Sequence, residues 1–166
     1  MAVANTKSTA VGNADATQPR VMTASYLASG VMKISRGTVE VAAADDNGSV
    51  YRMVRLPSNA IVNRIEVLND AIAGATGYDV GIYKVAVDGG SAVDDDLFAS
   101  SLDMTSQRLL PLDAMFEALD ISNIEKRLWE LAGLSADPQI EYDICYTADT
   151  VGSAAGTLAM RVVWTV

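Results

Sequence analysis

The chain of 166 residues is half apolar, contains one cysteine and no histidine, and has a formal net charge of −9. This length suffices for one domain with a hydrophobic core, and the acidic surface would repel nucleic-acid phosphates. The lack of histidine removes the usual general base near neutral pH, the usual catalytic triads and most zinc sites. A single cysteine excludes an intrachain disulfide. The composition therefore argues against a hydrolase.

Residues 1–28 are rich in Ala, Thr, Ser and Asn and follow no sustained period, which predicts an extended N-terminal arm. The charged residues of this arm are Lys7, Asp15 and Arg20, so it is weakly basic while the rest of the chain is acidic. We expect Lys7 and Arg20 to contact a binding partner. The first 30 residues lack the pattern of a secretory signal, which predicts synthesis and retention in a cytoplasm. No apolar run approaches the roughly 20 residues of a membrane span, so a membrane partner is not expected.

Residues 29–166 are predicted to form one β-sandwich domain, beginning with a strand at residues 31–41. The apolar parity of this strand switches at Gly37, which predicts a β-bulge there. The sequence Asp-Asp-Asn-Gly at residues 45–48 predicts a tight turn, because Asn and Gly tolerate positive φ. The first strand and the next one, at residues 50–56, are therefore expected to pair as a hairpin.

The middle of the chain combines clear strands with a long acidic stretch. Residues 61–68 and 78–85 alternate apolar and polar side chains and predict two strands. Residues 97–112 have no clean period and predict a loop with one short strand around Phe98. Residues 86–120 contain eight acidic residues and one basic residue, Arg108. This pattern is typical of a solvated surface.

One short α-helix is predicted over about residues 123–132. Ser122 and Glu125 have the spacing of a capping box, and Gly133 stands where a left-handed cap would end the helix. The apolar positions recur with helical spacing: Ile124, Leu128 and Leu131. Trp129 falls off this stripe, so it indicates either a partner-binding surface or a widened core face.

Two alternating strands close the chain. In the first, the residues predicted to face inward are Ile140, Tyr142, Ile144 and Tyr146, with Glu141, Asp143 and Cys145 on the outward parity. In the last, they are Leu158, Met160, Val162, Trp164 and Val166, with Arg161 and Thr165 outward. Six or more strands joined by Gly-rich turns predict an all-β fold, an antiparallel sandwich or jelly-roll.

Several carboxylates are candidates for catalytic or metal-binding groups. A glycosidase needs two carboxyl groups roughly 5–10 Å apart across a cleft, whereas Asp94, Asp95 and Asp96 are adjacent and typical of a solvated loop. Asp88, Asp94 and Asp96 could supply hard oxygen ligands to calcium, but no complete twelve-residue binding loop is present. Cys145 lacks a neighbouring base and is interpreted as a small apolar residue or part of an interface. The sequence predicts no catalytic residue, cofactor or resident metal, with calcium as the open alternative.

Three segments resemble small virion structural proteins of tailed bacteriophages: residues 69–84, 89–99 and 128–144. The similarity covers roughly residues 49–166. It implies a head decoration or cement protein, made in the host bacterial cytoplasm, that binds the exterior of the capsid and ties major capsid subunits together. Such proteins assemble as dimers or trimers and use extended termini to grip the shell. The main alternative is a carbohydrate-binding β-sandwich module of a tail fibre, which would need exposed aromatic side chains.

Overall fold

The computed structural model describes residues 6–16, 19, 21–25 and 30–166. This part of the chain contains eight strands: β1 (Lys33–Val41), β2 (Ser49–Pro57), β3 (Ile61–Asn69), β4 (Gly77–Lys84), β5 (Ala92–Leu102), β6 (Arg108–Asp113), β7 (Glu141–Thr150) and β8 (Gly156–Thr165). It also contains two short helices, α1 (Thr9–Asp15) and α2 (Leu128–Leu131). None of the described helices is long and apolar enough to cross a membrane.

The strands form two antiparallel sheets that pack face to face. The front sheet has the strand order β1-β8-β3-β6 and the back sheet the order β2-β7-β4-β5. Apart from the β4–β5 connection, each step along the chain crosses from one sheet to the other. This alternation is that of an eight-stranded jelly-roll, and the predicted all-β sandwich is confirmed.

The predicted hairpin between the first two strands is wrong, although the turn itself is present. The Ser49 amide donates to the Asp46 carbonyl at 3.1 Å, and Gly48 has a φ of 88°. However, β1 pairs with β8 in the front sheet and β2 pairs with β7 in the back sheet. The turn is thus a corner between the two sheets, held by the Asp45 carboxylate, which accepts from the Ala42 amide at 2.9 Å.

Gly37 does not form the predicted β-bulge. The pairing of β1 with β8 runs in unbroken register from Lys33 to Val41. A Cβ atom on Gly37 would instead lie 2.1 Å from the carbonyl oxygen of Met53. The glycine is therefore required because β1 crosses closely over β2, and the prediction of a bulge is corrected to one of close backbone packing.

The predicted loop at residues 97–112 is in fact parts of two strands, β5 and β6. The register of β5 is irregular: Val80 pairs with Ala99 and Ile82 with Asp94, so six residues of β5 lie opposite three of β4. The extra residues fold over the outer face of the back sheet, where a Cβ on Gly81 would lie 2.1 Å from the Asp94 carbonyl oxygen. This bulge removes the period-2 alternation by which a strand is predicted.

The predicted helix exists but is shorter than residues 123–132. The Asp120 carboxylate accepts from the Ser122 amide at 2.8 Å and begins a single 3₁₀ turn, so the expected capping box at Ser122 is wrong. The helix α2 begins at Leu128, whose amide donates to the Ala60 carbonyl at 2.9 Å. It ends before Gly133, which has the predicted left-handed conformation with a φ of 75°.

The core lies between the two sheets, and the predicted inward residues of β7 and β8 are largely confirmed. Fully or almost fully buried are Tyr142, Ile144, Tyr146, Leu158, Met160 and Val162. Trp164 is only half-buried and Val166 is exposed, contrary to prediction, whereas Thr165 is buried. The β3–β8 register also shifts at this end, between Val62 and Arg64. Asp143 and Cys145, on the outward parity, are buried as well.

Candidate partner-binding surfaces

Cys145 is placed as a structural residue. Its side chain is fully buried on β7, and burial raises the pKa of the thiol to about 12. The group is therefore a neutral thiol near pH 7, whereas nucleophilic attack requires a thiolate. This placement favours the interpretation of Cys145 as a small buried apolar side chain.

The bulge of β5 concentrates negative charge on the outer face of the back sheet. Ligand oxygens of Asp94, Asp95 and Asp96 all lie within 4.8 Å of one another. Asp88 is not part of this group and lies in a separate 3₁₀ turn, so the three residues considered for calcium are only partly brought together. Calcium binding by Asp88, Asp94 and Asp96 stays the untested alternative to the prediction of no metal.

The like charges of this cluster act on each other and on a buried neighbour. Burial raises the pKa of Asp94, and a hydrogen bond to Asp96 and the charge of that residue raise it further. Asp79 lies beneath, 6% exposed, with its carboxylate accepting from the Ser101 amide at 2.6 Å. Burial also raises the pKa of Asp79, and Asp149 and Asp96 add to the effect. We call the surface formed by Asp94, Asp95 and Asp96 the acidic cluster.

A second charged group lies on the same outer face of the back sheet, toward β2. The buried Asp143 carboxylate accepts from Arg55 Nε at 2.7 Å and from Arg52 Nη1 at 2.9 Å. Arg52 also donates to the carbonyls of Lys84 and Gly90, at 2.9 and 2.7 Å. Burial alone would raise the pKa of Asp143, but the two arginines outweigh it and lower the pKa.

The strand β6 presents an apolar surface that the sequence analysis missed. Leu109 and Leu110 are 73% and 84% exposed, and Leu112 is 37% exposed. Because successive strand residues point to opposite faces, the exposure of both Leu109 and Leu110 means that the described residues cover neither face of β6 there. The sequence feature that indicates an edge strand here is Pro111 within a run of leucines. Proline within a sheet is confined to edge strands, strand starts and bulges.

The opposite edge of the front sheet is apolar too. Ile34, at the beginning of β1, is 55% exposed, and Met32 and Val31, which directly precede the strand, are 66% and 75% exposed. Contiguous exposed apolar side chains on a soluble domain commonly mark interaction sites. The two edge strands of the front sheet are therefore candidate binding surfaces.

The predicted partner-binding residues have different surroundings. Lys7 forms an exposed ion pair with Asp15 at 2.6 Å, beside α1. Arg20 lies outside the described residues. Trp129 is half-buried on α2, and its indole N–H is buried with no hydrogen-bond partner in the described part of the chain. Binding through Lys7, Arg20 and Trp129 stays a prediction, as does the division into a 1–28 arm and a 29–166 domain.

No protein-family model and no curated protein matches the sequence. Among solved structures, a chain of the capsid of Ralstonia phage GP4 is similar, with a TM-score of 0.60 and 16% identity over 82% of this chain and 84% of that one. The fold is that of a phage capsid chain. The similarity to phage virion proteins inferred from the sequence is thus confirmed at the level of the fold.

Chains from two other phage capsids have lower structural similarity. The cyanophage Pam1 capsid asymmetric unit contains one with a TM-score of 0.48 and 15% identity, over 82% of this chain and 86% of that one. The acidic stable capsid of Helicobacter pylori bacteriophage KHP30 contains another, with a TM-score of 0.45 and 14% identity over 82% and 88%.

Proposed function

We propose that this protein is a non-enzymatic capsid cement, or decoration, protein of a bacteriophage. It binds the outside of the head and stabilises contacts between major capsid subunits, after synthesis in the host bacterial cytoplasm. The observation that carries the proposal is the jelly-roll that this protein shares with a phage capsid chain. In this protein, both edges of the front sheet expose apolar side chains. A cement needs no reactive group, because many weak contacts repeated over a lattice give strong overall binding.

The interior of the sandwich suits a rigid cement. The ring of Tyr78 packs between two other tyrosines, with centroids 6.3 Å from Tyr51 and 6.4 Å from Tyr146. Two of their hydroxyls donate to backbone carbonyls, Tyr78 to Val151 at 2.9 Å and Tyr146 to Ala159 at 3.2 Å. Buried rings with satisfied hydroxyls fix the spacing of the sheets, so the edge strands are presented in a fixed arrangement.

The carbohydrate-binding alternative is less well supported. It requires exposed aromatic rings on which sugars can stack, but the tyrosines that the structure describes are all buried: Tyr51, Tyr78, Tyr83, Tyr142 and Tyr146. Trp129 and Trp164 are both half-buried. The distribution of aromatic side chains therefore favours the cement.

The predicted arm, residues 1–28, is proposed to grip the shell. Its weakly basic character, from Lys7 and Arg20, contrasts with the acidic body. Helix α1, the described helix of this segment, has no buried residue, so the segment can add contacts to a partner without contributing to the core. Deleting residues 2–25 is therefore expected to leave the unfolding transition in place and to weaken capsid binding.

The test adds purified protein to undecorated, expanded heads of the phage that encodes it. Binding should sediment the protein with the heads and raise their resistance to heat, because a ligand of the assembled state stabilises it by mass action. The truncated chain should co-sediment less, and the matched surface variant Val87→Ser should bind like the wild type. Failure to bind heads, together with specific binding in a glycan screen, would transfer the assignment to the receptor-binding alternative.

A further inference from the structure

The edge strands of the two sheets define two sides of the sandwich. The strands β1 and β2 occupy one side, where Gly37 packs on the backbone of Met53. The strands β5 and β6 occupy the other, where the Ala118 amide, shortly after β6, donates to the Phe98 carbonyl of β5 at 2.8 Å. We call them the β1/β2 side and the β5/β6 side.

These sides carry opposite charges. The charged residues of β1 and β2 are Lys33, Arg36, Glu40, Arg52 and Arg55, and with Asp143 of β7, which binds Arg52 and Arg55, they give a net charge of +2. Those of β5 and β6 are Asp94, Asp95, Asp96, Arg108 and Asp113, a net charge of −3. The strands of the two sides therefore carry net charges of opposite sign.

Each side also carries an exposed apolar strip on an edge of the front sheet. The β1/β2 side has Val31, Met32 and Ile34, and the β5/β6 side has Leu109, Leu110 and Leu112. The two strips lie on, or directly before, the first and last strands of one sheet, β1 and β6. Each side thus offers an apolar strip together with charges opposite to those of the other side.

We propose that the β5/β6 side of one copy of this protein binds the β1/β2 side of a second copy. The contact would cover Leu109 and Leu110 with Met32 and Ile34 of the neighbour and bring the acidic cluster toward the neighbour's basic residues. Because the joined surfaces are different, the contact is head-to-tail, and repetition closes a ring or extends a row. Complementary charge steers the encounter and fixes the orientation.

The charge pattern selects a second copy as the occupant. A partner of a single charge sign would match one side and be repelled by the other, whereas this protein supplies the complement to both of its own sides. Burying the two apolar strips removes their side chains from water, which contributes a favourable free energy of about 25 cal/mol per Å² of apolar surface. The proposal does not depend on capsid binding, so it can fail or succeed separately from the proposed function.

The first test measures self-association of the free, full-length protein by analytical ultracentrifugation. The average mass should rise with concentration between about 5 and about 500 µM at low salt. Raising the salt from about 0.05 to about 0.5 M should lower the association constant about tenfold, because exposed charges are screened. A protein that stays monomeric throughout at low salt would overturn the proposal.

The second test reverses the charge of each side separately. Lys33→Glu/Arg36→Glu alters the β1/β2 side, and Asp95→Lys/Asp96→Lys alters the β5/β6 side. Each variant alone should lose association at least about tenfold, whereas an equimolar mixture should associate again, because each reversed side then meets its complement. The chain carrying all four substitutions should also self-associate. Arg52 and Arg55 are left unchanged because they stabilise buried Asp143.

Two control variants show whether self-association depends on these two sides in particular. Lys126→Glu and Val87→Ser change an exposed charge and an exposed apolar side chain outside the two strips, and they should leave association unchanged. Leu109→Ser/Leu110→Ser, by contrast, should weaken association without lowering the melting temperature, since both side chains are exposed. Reversals without effect, or variants that fail to recover association when mixed, would exclude the head-to-tail contact.

Discussion

Two carboxylates of the back sheet, Asp143 on β7 and Asp94 on β5, show how much the surroundings of the same side chain can differ. Asp143 is the more deeply buried, at 3% exposure, yet its pKa is lowered because Arg52 and Arg55 bind it. Asp94 is half-buried, and burial together with Asp96 raises its pKa. The charged partner, more than the depth of burial, decides the sign of the shift.

The same comparison separates the two sides by role. Near β2 the carboxylate charge is neutralised within the molecule, by hydrogen bonds of 2.7 and 2.9 Å to Asp143. At the bulge of β5 three carboxylates crowd together, within 4.8 Å. Charge balanced internally stabilises the fold, whereas an accumulation of one sign is available to a partner of the other sign.

The largest loss of stability is expected from substituting the two glycines at which neighbouring strands pack closely, Gly37 and Gly81. Gly37→Ala and Gly81→Ala would each place a Cβ 2.1 Å from a carbonyl oxygen, of Met53 and Asp94 respectively. Each substitution should destabilise by more than about 3 kcal/mol or prevent folding, since the backbone must shift. Urea unfolding measures this. Gly12→Ala is the matched control, because a Cβ there meets nothing within 4 Å, and wild-type stability in the Gly37 or Gly81 variant would contradict the packing.

A smaller effect is expected from removing one charge on each side. Asp143→Asn should cost about 1–3 kcal/mol, because it weakens the charge-assisted hydrogen bonds of a buried group. Asp94→Asn should leave stability within about 0.5 kcal/mol of the wild type or increase it, because it relieves like-charge repulsion. Thermal and urea unfolding of the two isosteric variants would test the contrast. Equal losses would mean that the acidic cluster also stabilises the fold.

The two carboxylates should also respond oppositely to pH. A lowered folded-state pKa stabilises above the unfolded-state value, so the contribution of Asp143 is lost as the pH falls through its folded-state pKa, below about 3.9. A raised folded-state pKa means that the ionised carboxylate destabilises the folded state at neutral pH. Protonation of Asp94 and Asp79 therefore increases the free energy of unfolding as the pH falls through their folded-state pKa values, which lie above about 3.9. Urea unfolding of the wild type, Asp94→Asn and Asp143→Asn between about pH 7 and about pH 2 would distinguish the two contributions. As the pH falls, Asp94→Asn should show a smaller increase in stability above about pH 3.9. Asp143→Asn should show a smaller decrease below that pH.

The smallest effect is expected from calcium. Addition of about 1 mM calcium should change the melting temperature by less than about 1 °C, because the acidic cluster lacks a complete binding loop. Asp94→Asn/Asp96→Asn is the comparison. A calcium-dependent gain in the wild type that this variant lacks would reveal a metal site and give the acidic cluster a second use.

The sequence predicts those parts of the fold in which local pattern and final environment agree. Strands β2, β3, β4, β7 and β8 have apolar residues that recur on one parity in the sequence, and all five are predicted. The bulge over Gly81 hid β5, and exposure of Leu109 and Leu110 on both faces hid β6, because neither leaves a period-2 signal. The pairing of β1 with β8 depends on residues more than a hundred positions apart, which no turn motif encodes.

The candidate surfaces were harder to predict than the strands. Lys7, Arg20 and Trp129 were selected because they depart from their local surroundings in the sequence. The apolar strips arise differently, because Met32 and Leu110 become edge residues only when the strand order is fixed. An interaction surface made by topology is invisible until the topology is known.

The position of β8 has a consequence for how the protein is made. This strand lies between β1 and β3 and pairs with both, although nearly the whole chain separates it from β1. Since contacts between distant segments form slowly, β1 and β3 must wait for their shared neighbour to leave the ribosome. The nascent chain therefore cannot complete the front sheet, or display its finished edges to any partner, until β8 has been translated and inserted.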